Sequence, residues 1–253
     1  MQNDIFQKIE NAKTPDFSDI LSQSFDLFKK YFKEGLIHGL ISVAVALPLI
    51  LLVYIPIIPI YVEALQNAGD PYYTPSFVEE FGFFYMIVWF ILVFVLSFAI
   101  QLLNMSVLGR FLKFLKKEDL GTNEDEGGYF TILKEHWKKM LVLTLASMGI
   151  ALGATLLCYL PIFYVIVPLH WLFPIFIFNE KLSVSEIIKA AFKIGNKYWL
   201  HFVGIGIVVS LVASVGMIAC YIGIMATMPF TYVATYVGYK EVIGFDETPE
   251  TVN

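Results

Sequence analysis

The sequence predicts an all-α polytopic membrane protein: six transmembrane helices in three tandem units, each an amphipathic interfacial helix followed by a helical hairpin. Three observations carry this: long segments without charge, basic residues confined to alternate connections, and a pattern that returns twice along the chain.

The composition is 58% hydrophobic and only 15% charged, against about a quarter charged in soluble domains. No Asp, Glu, Lys or Arg occurs in 35–62, 82–109, 140–178 or 202–239. A helix needs roughly 20 residues to cross the hydrocarbon core. The first two segments therefore hold one span each and the longer last two hold two each. The polar N-terminus, MQNDIFQKIENAKTPDF, lacks the apolar core of a signal peptide.

The 17 Lys and Arg fall before the first span (Lys8 to Lys33), between the second and third (Arg110 to Lys139), between the fourth and fifth (Lys181 to Lys197), and after the sixth (Lys240). Basic residues near span ends stay cytoplasmic. The expectation is thus a cytoplasmic-membrane protein with both termini inside. The largest outer connection carries acids alone: Glu63, Asp70, Glu79 and Glu80.

The repeat begins with Phe25-Asp-Leu-Phe-Lys-Lys-Tyr31-Phe32, matched by Phe130-Thr-Ile-Leu-Lys-Glu-His136-Trp137 and Phe192-Lys-Ile-Gly-Asn-Lys-Tyr198-Trp199. In each copy the same interval leads from the first Phe to Val53, Cys158 or Cys220. There an aromatic-aliphatic-breaker tip follows: Tyr54 and Pro56, Tyr159 and Pro161, Tyr221 and Gly223. Two elements in one register predict a repeat. The chain reads as a single membrane domain, 1–253, with units at about 16–110, 121–181 and 182–244.

Each unit opens with an amphipathic helix, seen best in 185–199. Ile187, Ile188, Ala191, Phe192 and Ile194 lie on one side, Lys189, Lys193 and Asn196 on the other. A capping box, Ser183-x-x-Glu186, starts it, and its lysines suit lipid head groups. The aromatics Phe32, Trp137 and Trp199 mark the inner interface. At the outer tips, Pro56, Pro161 and Gly223 break the helix for the return span. The first unit carries an insertion at about 57–81, read as a surface insertion or an outer docking loop. The segment Gly121-Thr-Asn-Glu-Asp-Glu-Gly-Gly128 lacks EF-hand ligand spacing and reads as a flexible acidic linker.

Reactive groups are scarce in the spans. His170, between Pro168 and Pro174, is the one ionisable residue near mid-membrane and the candidate functional residue. Its two readings are a structural histidine bonded to a proline-freed carbonyl, or a ligand or proton site. His38 begins the first span and reads as interfacial. Serines of the spans lack a base and a carboxylate for a triad. No His/Cys/Asp/Glu spacing implies a metal, so no cofactor is expected. Gly149-x-x-x-Gly153 and the Gly206, Ser210, Ser214 series suit close helix packing or self-association. The net charge of −5 argues against nucleic acid.

The run Phe178-Asn-Glu-Lys-Leu-Ser-Val-Ser-Glu186, continuing through Phe192 to Tyr198-Trp199 and a glycine-rich span, resembles six-span bacterial membrane proteins related to the membrane domain of glycerophosphoryl diester phosphodiesterases. The likeness extends over nearly the whole chain. It implies fold more than function, because that group is mostly uncharacterised. The phosphodiesterase's catalytic domain has no counterpart in this sequence, so its activity is not implied.

Together these readings point to a non-enzymatic membrane protein that contacts lipids or serves as a subunit of a larger membrane assembly. A transporter or lipid-translocating protein is the alternative, suggested by the proline-broken spans. An intramembrane enzyme working through His170 is the third. The partners expected are membrane lipids or a membrane protein.

Overall fold

The structure, a computed structural model, describes residues 2–70, 76–157, 160–218 and 222–245. Among these the regular secondary structure is all helix, without strands. The helices are α1 (Gln2–Asn11), α2 (Phe17–Lys30), α3 (Phe32–Gln66), α4 (Ser76–Leu120), α5 (Thr131–Leu156), α6 (Leu160–Phe178), α7 (Val184–Ile218), α8 (Ile222–Thr227) and α9 (Pro229–Val242). Five segments are long and apolar enough to cross a membrane: Phe32–Tyr54, Met86–Leu120, Thr131–Leu156, Leu160–Phe178 and Val184–Gly216. This is consistent with an integral membrane protein. The region expected to form the sixth span is divided. α8 and α9 meet at Met228, and each is too short to cross alone.

The chain forms two compact units. One is Ile41–Asn104, which holds the later part of α3 and the earlier part of α4. Here α3 does not break at Pro56 but continues to Gln66, correcting the expected tip. An internal proline forfeits one backbone hydrogen bond, which a membrane helix absorbs by local adjustment. Tyr54 faces outward, 62% exposed. Asn67 ends the helix by donating Nδ2–H to the Glu63 carbonyl at 2.8 Å. Since α3 reaches Gln66 and α4 starts at Ser76, much of the 57–81 insertion is helical.

The other unit comprises the described residues of Met1–Leu40 and Met105–Asn253. Its centre is α6, which packs against α5, α7 and α9 and buries Trp171, Ile175 and Phe176. Three backbone breaks recur in this unit. Tyr31 lies at φ −112°, ψ 26°, His136 at φ −122°, ψ 23°, and Tyr198 at φ −124°, ψ 24°. They are the three positions that the sequence pattern aligns. At each, the chain turns from a segment that carries lysines and carboxylates into a longer apolar one.

The aromatic pairs at these breaks divide their work. Tyr31 Oη donates toward the Glu118 carboxylate at 3.4 Å, His136 Nε2 pairs with Glu180 at 3.1 Å, and Tyr198 Oη donates to the Ala12 carbonyl at 2.5 Å. Their neighbours Phe32 and Trp137 face outward, 42% and 52% exposed. Trp199 is half-buried and donates its indole N–H to the Tyr164 carbonyl at 3.1 Å.

Local signals account for the helix starts. Asp16 Oδ1 accepts from the backbone N–H of Ser18 and Asp19 at 2.7 and 3.1 Å and opens α2. The capping box opens α7: Ser183 N–H donates to Glu186 at 2.8 Å, and Glu186 N–H donates to Ser183 Oγ at 3.3 Å. The apolar side of 185–199 does not meet lipid as expected. Ile187, Ala190, Ala191 and Ile194 are fully buried inside the protein. Lys197 leaves head groups aside and caps α1, donating to the carbonyls of Ile9, Glu10 and Ala12 at 2.7–2.9 Å. A cation there meets the negative end of the α1 dipole.

The acidic segment 121–128 is likewise bound rather than a free linker. Glu124 pairs with Lys116 at 2.7 Å, Glu126 with Arg110 at 3.2 Å, and Arg110 Nε–H donates to the Gly127 carbonyl at 3.0 Å. Opposite charges on α4 hold it, and Gly121 and Gly127 supply the positive φ that its turns need.

Candidate functional site

The two prolines of α6 shape the surroundings of His170. Pro168 has no N–H for the carbonyl of Tyr164. That carbonyl takes the Trp199 indole instead, joining α6 to α7. The same join is tightened where Gly195 faces the Pro168 ring. A Cβ there would lie 2.5 Å from Cγ and 2.8 Å from Cδ. Tyr164 Oη also bonds the Asn196 side chain. Thus a proline on one helix and a glycine on the next place the α6–α7 pair side by side at residues 164–170.

Next to this join, residues of α6, α7 and α9 line a cavity of about 550 Å³. His170, Trp171, Gly206, Ser210, Thr231 and Thr235 are among its lining residues, with aliphatic side chains for most of the rest. Among the described residues, no Asp, Glu, Lys or Arg lines it. The volume falls in the usual range of roughly 300–1,000 Å³ for ligand pockets. His170 is exposed into this space.

The expected partner of His170 was a proline-freed carbonyl, and the structure differs. His170 Nε2 lies 2.9 Å from Thr235 Oγ1, whose own hydroxyl donates to the Thr231 carbonyl at 2.8 Å. Thr231 and Thr235 are one helical turn apart on α9, so both face α6. They escaped the sequence reading because threonines count as apolar-compatible in a span. Their four-residue spacing beside Gly238 was the available signal.

The other predicted site residues lie elsewhere. Pro161 sits in the first turn of α6 and Gly223 in the first turn of α8, each shortly after the preceding helix ends. Gly223 backbone presses on Gly216 of α7, where no Cβ could fit. Tyr159 and Tyr221 fall outside the described residues. Phe32, Trp137 and Trp199 do not line the cavity. His38 is 2% exposed rather than interfacial. Its ring stacks on Phe111 at 4.7 Å, and neither ring nitrogen has a partner among the described residues. Among the described residues, no atom lies within 4 Å of a Cβ position at Gly149 or Gly153, so no close helix contact is seen there.

A second polar centre lies at the basic end of the same unit. Glu180, between α6 and α7, pairs with Lys113 of α4 at 2.6 Å and His136 of α5 at 3.1 Å. Lys139 of α5 donates to the carbonyls of Glu180 and Leu182 at 2.6 and 2.9 Å. Burial acts to raise the Glu180 carboxyl, but the hydrogen bond and charge of Lys113, with His136, outweigh it and hold the group below the usual carboxylate range. Asp119 similarly joins α4 to α9 through Tyr236 at 2.8 Å and Lys240 at 2.7 Å. These carboxylates tie helices together.

The described residues include no cluster of three metal-ligating side chains. No protein family, curated protein or solved structure matches the chain.

Proposed function

We propose that this chain is a non-catalytic integral protein of the cytoplasmic membrane that holds a membrane lipid in the cavity between α6, α7 and α9. The carrying observation is the cavity itself: apolar walls, no charged residue among the described ones that line it, and one histidine tied to a threonine. Empty apolar space beside a bilayer fills with hydrocarbon, because the walls of an unfilled void lose their dispersion contacts. His170 serves recognition in this reading, since its hydrogen bond runs to a hydroxyl already committed to a carbonyl.

The finer architecture belongs to the same proposal. Six spans arise if α8 and α9 cross together as one interrupted helix. The three matching breaks at Tyr31, His136 and Tyr198 support a three-unit repeat. A relation to the membrane domain of glycerophosphoryl diester phosphodiesterases fits that layout. The distribution of Lys and Arg supports both termini inside. In intact cells, Tyr54→Cys is expected to label with an impermeant maleimide, and Lys117→Cys and Lys189→Cys to stay unlabelled. Labelling of either lysine position from outside would reverse the orientation.

Extraction into native nanodiscs followed by mass spectrometry tests the function. One lipid class enriched in stoichiometric amount over the surrounding membrane is expected. A stoichiometric protein partner without an enriched lipid would instead make the chain a subunit of an assembly.

A further inference from the structure

Given the lipid reading above, we propose that the occupant is an uncharged lipid alcohol, its hydroxyl donating to His170 Nδ1 and its chain lying along Gly206 and Val209. The hydrogen-bond directions select the chemistry. A threonine hydroxyl has one proton, and that of Thr235 goes to the Thr231 carbonyl. Toward His170 it presents lone pairs, so His170 Nε2 carries the hydrogen across the 2.9 Å contact. The neutral imidazole then keeps a lone pair on Nδ1, which bonds no described residue. A lone pair left over on a residue that lines the cavity can recognise a donor.

The charge of the walls selects against a phosphate. An ionised group inside hydrocarbon requires a partner charge, and the described lining residues hold none. Depth acts in the same direction. His170 precedes the α6 end at Phe178 by two turns, about 12 Å along the axis at 1.5 Å per residue. A hydroxyl bonded to an imidazole tolerates that position, whereas a phosphodiester does not.

The test uses the full chain in phosphatidylcholine nanodiscs containing a photoactivatable diacylglycerol, or a phosphatidylglycerol or fatty acid with the same photoreactive chain. Diacylglycerol is expected to leave adducts on α6, α7 and α9 in preference to the other two probes. His170→Phe, which preserves the ring shape and removes the acceptor, is expected to lower this labelling about fivefold, the effect of one hydrogen bond. His170→Gln, which retains a donor and an acceptor, is expected to restore most of it and so separates recognition from folding. Equal labelling by phosphatidylglycerol or by the fatty acid, unaffected by His170→Phe, would overturn the alcohol while leaving a lipid cavity. Adducts from all three probes that avoid α6, α7 and α9 would overturn both readings.

Discussion

Gly195→Leu is expected to separate α6 from α7 and abolish the monodisperse folded protein in size-exclusion chromatography after mild detergent extraction. Even the first added carbon would stand 2.5 Å from Pro168 Cγ, 2.8 Å from Cδ and 3.0 Å from its backbone nitrogen. The proline ring is closed onto the α6 backbone, so the neighbour cannot rotate away. Leucine in place of glycine gains about 1 kcal/mol of helix propensity. Overpacking costs typically about 1–3 kcal/mol for added methylenes, and the rigid ring places this site at the upper end. The clash therefore wins. It would also part Trp199 from the Tyr164 carbonyl, leaving a proline-freed acceptor unpaired at a further ~1–3 kcal/mol. Gly195→Ala should be destabilised to an intermediate degree. Gly149→Leu is the control, because a Cβ there meets no atom within 4 Å; equal behaviour of the two leucine variants would refute the close α6–α7 contact.

Glu180→Ala should destabilise the protein by about 1.5–3 kcal/mol at neutral pH, the range for hydrogen bonds to charged groups. Partial exposure of Glu180 and Lys113, 30% and 26%, places the effect toward the lower end. Lys139 keeps its two carbonyl acceptors in the variant, so the loss falls on Lys113 and His136. Because the folded-state carboxyl lies below its unfolded value of 4.5, its contribution is fully present above about pH 5. It is lost as the pH falls through the folded value. Thermal unfolding in detergent between pH 3 and 7 should show a steeper acid limb for the natural chain than for Glu180→Ala. Parallel curves would mean that Glu180 is not held by its partners.

Local features were the legible ones. The uncharged segments, the capping box at Ser183 and Glu186, and the aromatic pairs at which the backbone breaks all express short-range chemistry. Long-range partners were not legible. Nothing near His170 announces Thr235, and nothing near Glu180 announces Lys113, because both contacts depend on how the helices pack. Proline misled in one direction and informed in another. At Pro56 it suggested a break that α3 does not make. At Pro168 its missing N–H foretold a free carbonyl, but the taker is Trp199 rather than His170. The amphipathic 185–199 segment also shows the limit of periodicity. An apolar face looks the same whether lipid or protein covers it, and here Ile187 and Ile194 are covered by protein.

Gly206→Leu tests the central claim most directly. Gly206 lines the cavity, and an added Cβ there meets nothing within 4 Å, so the side chain fills open space without straining the helix. The natural chain and the variant, extracted in parallel into native nanodiscs, would be compared for bound lipid by mass spectrometry. The lipid-cavity account predicts that one enriched lipid class accompanies the natural chain and is lost from a folded Gly206→Leu protein. The same enriched lipid on both proteins would place it outside the cavity and contradict that account.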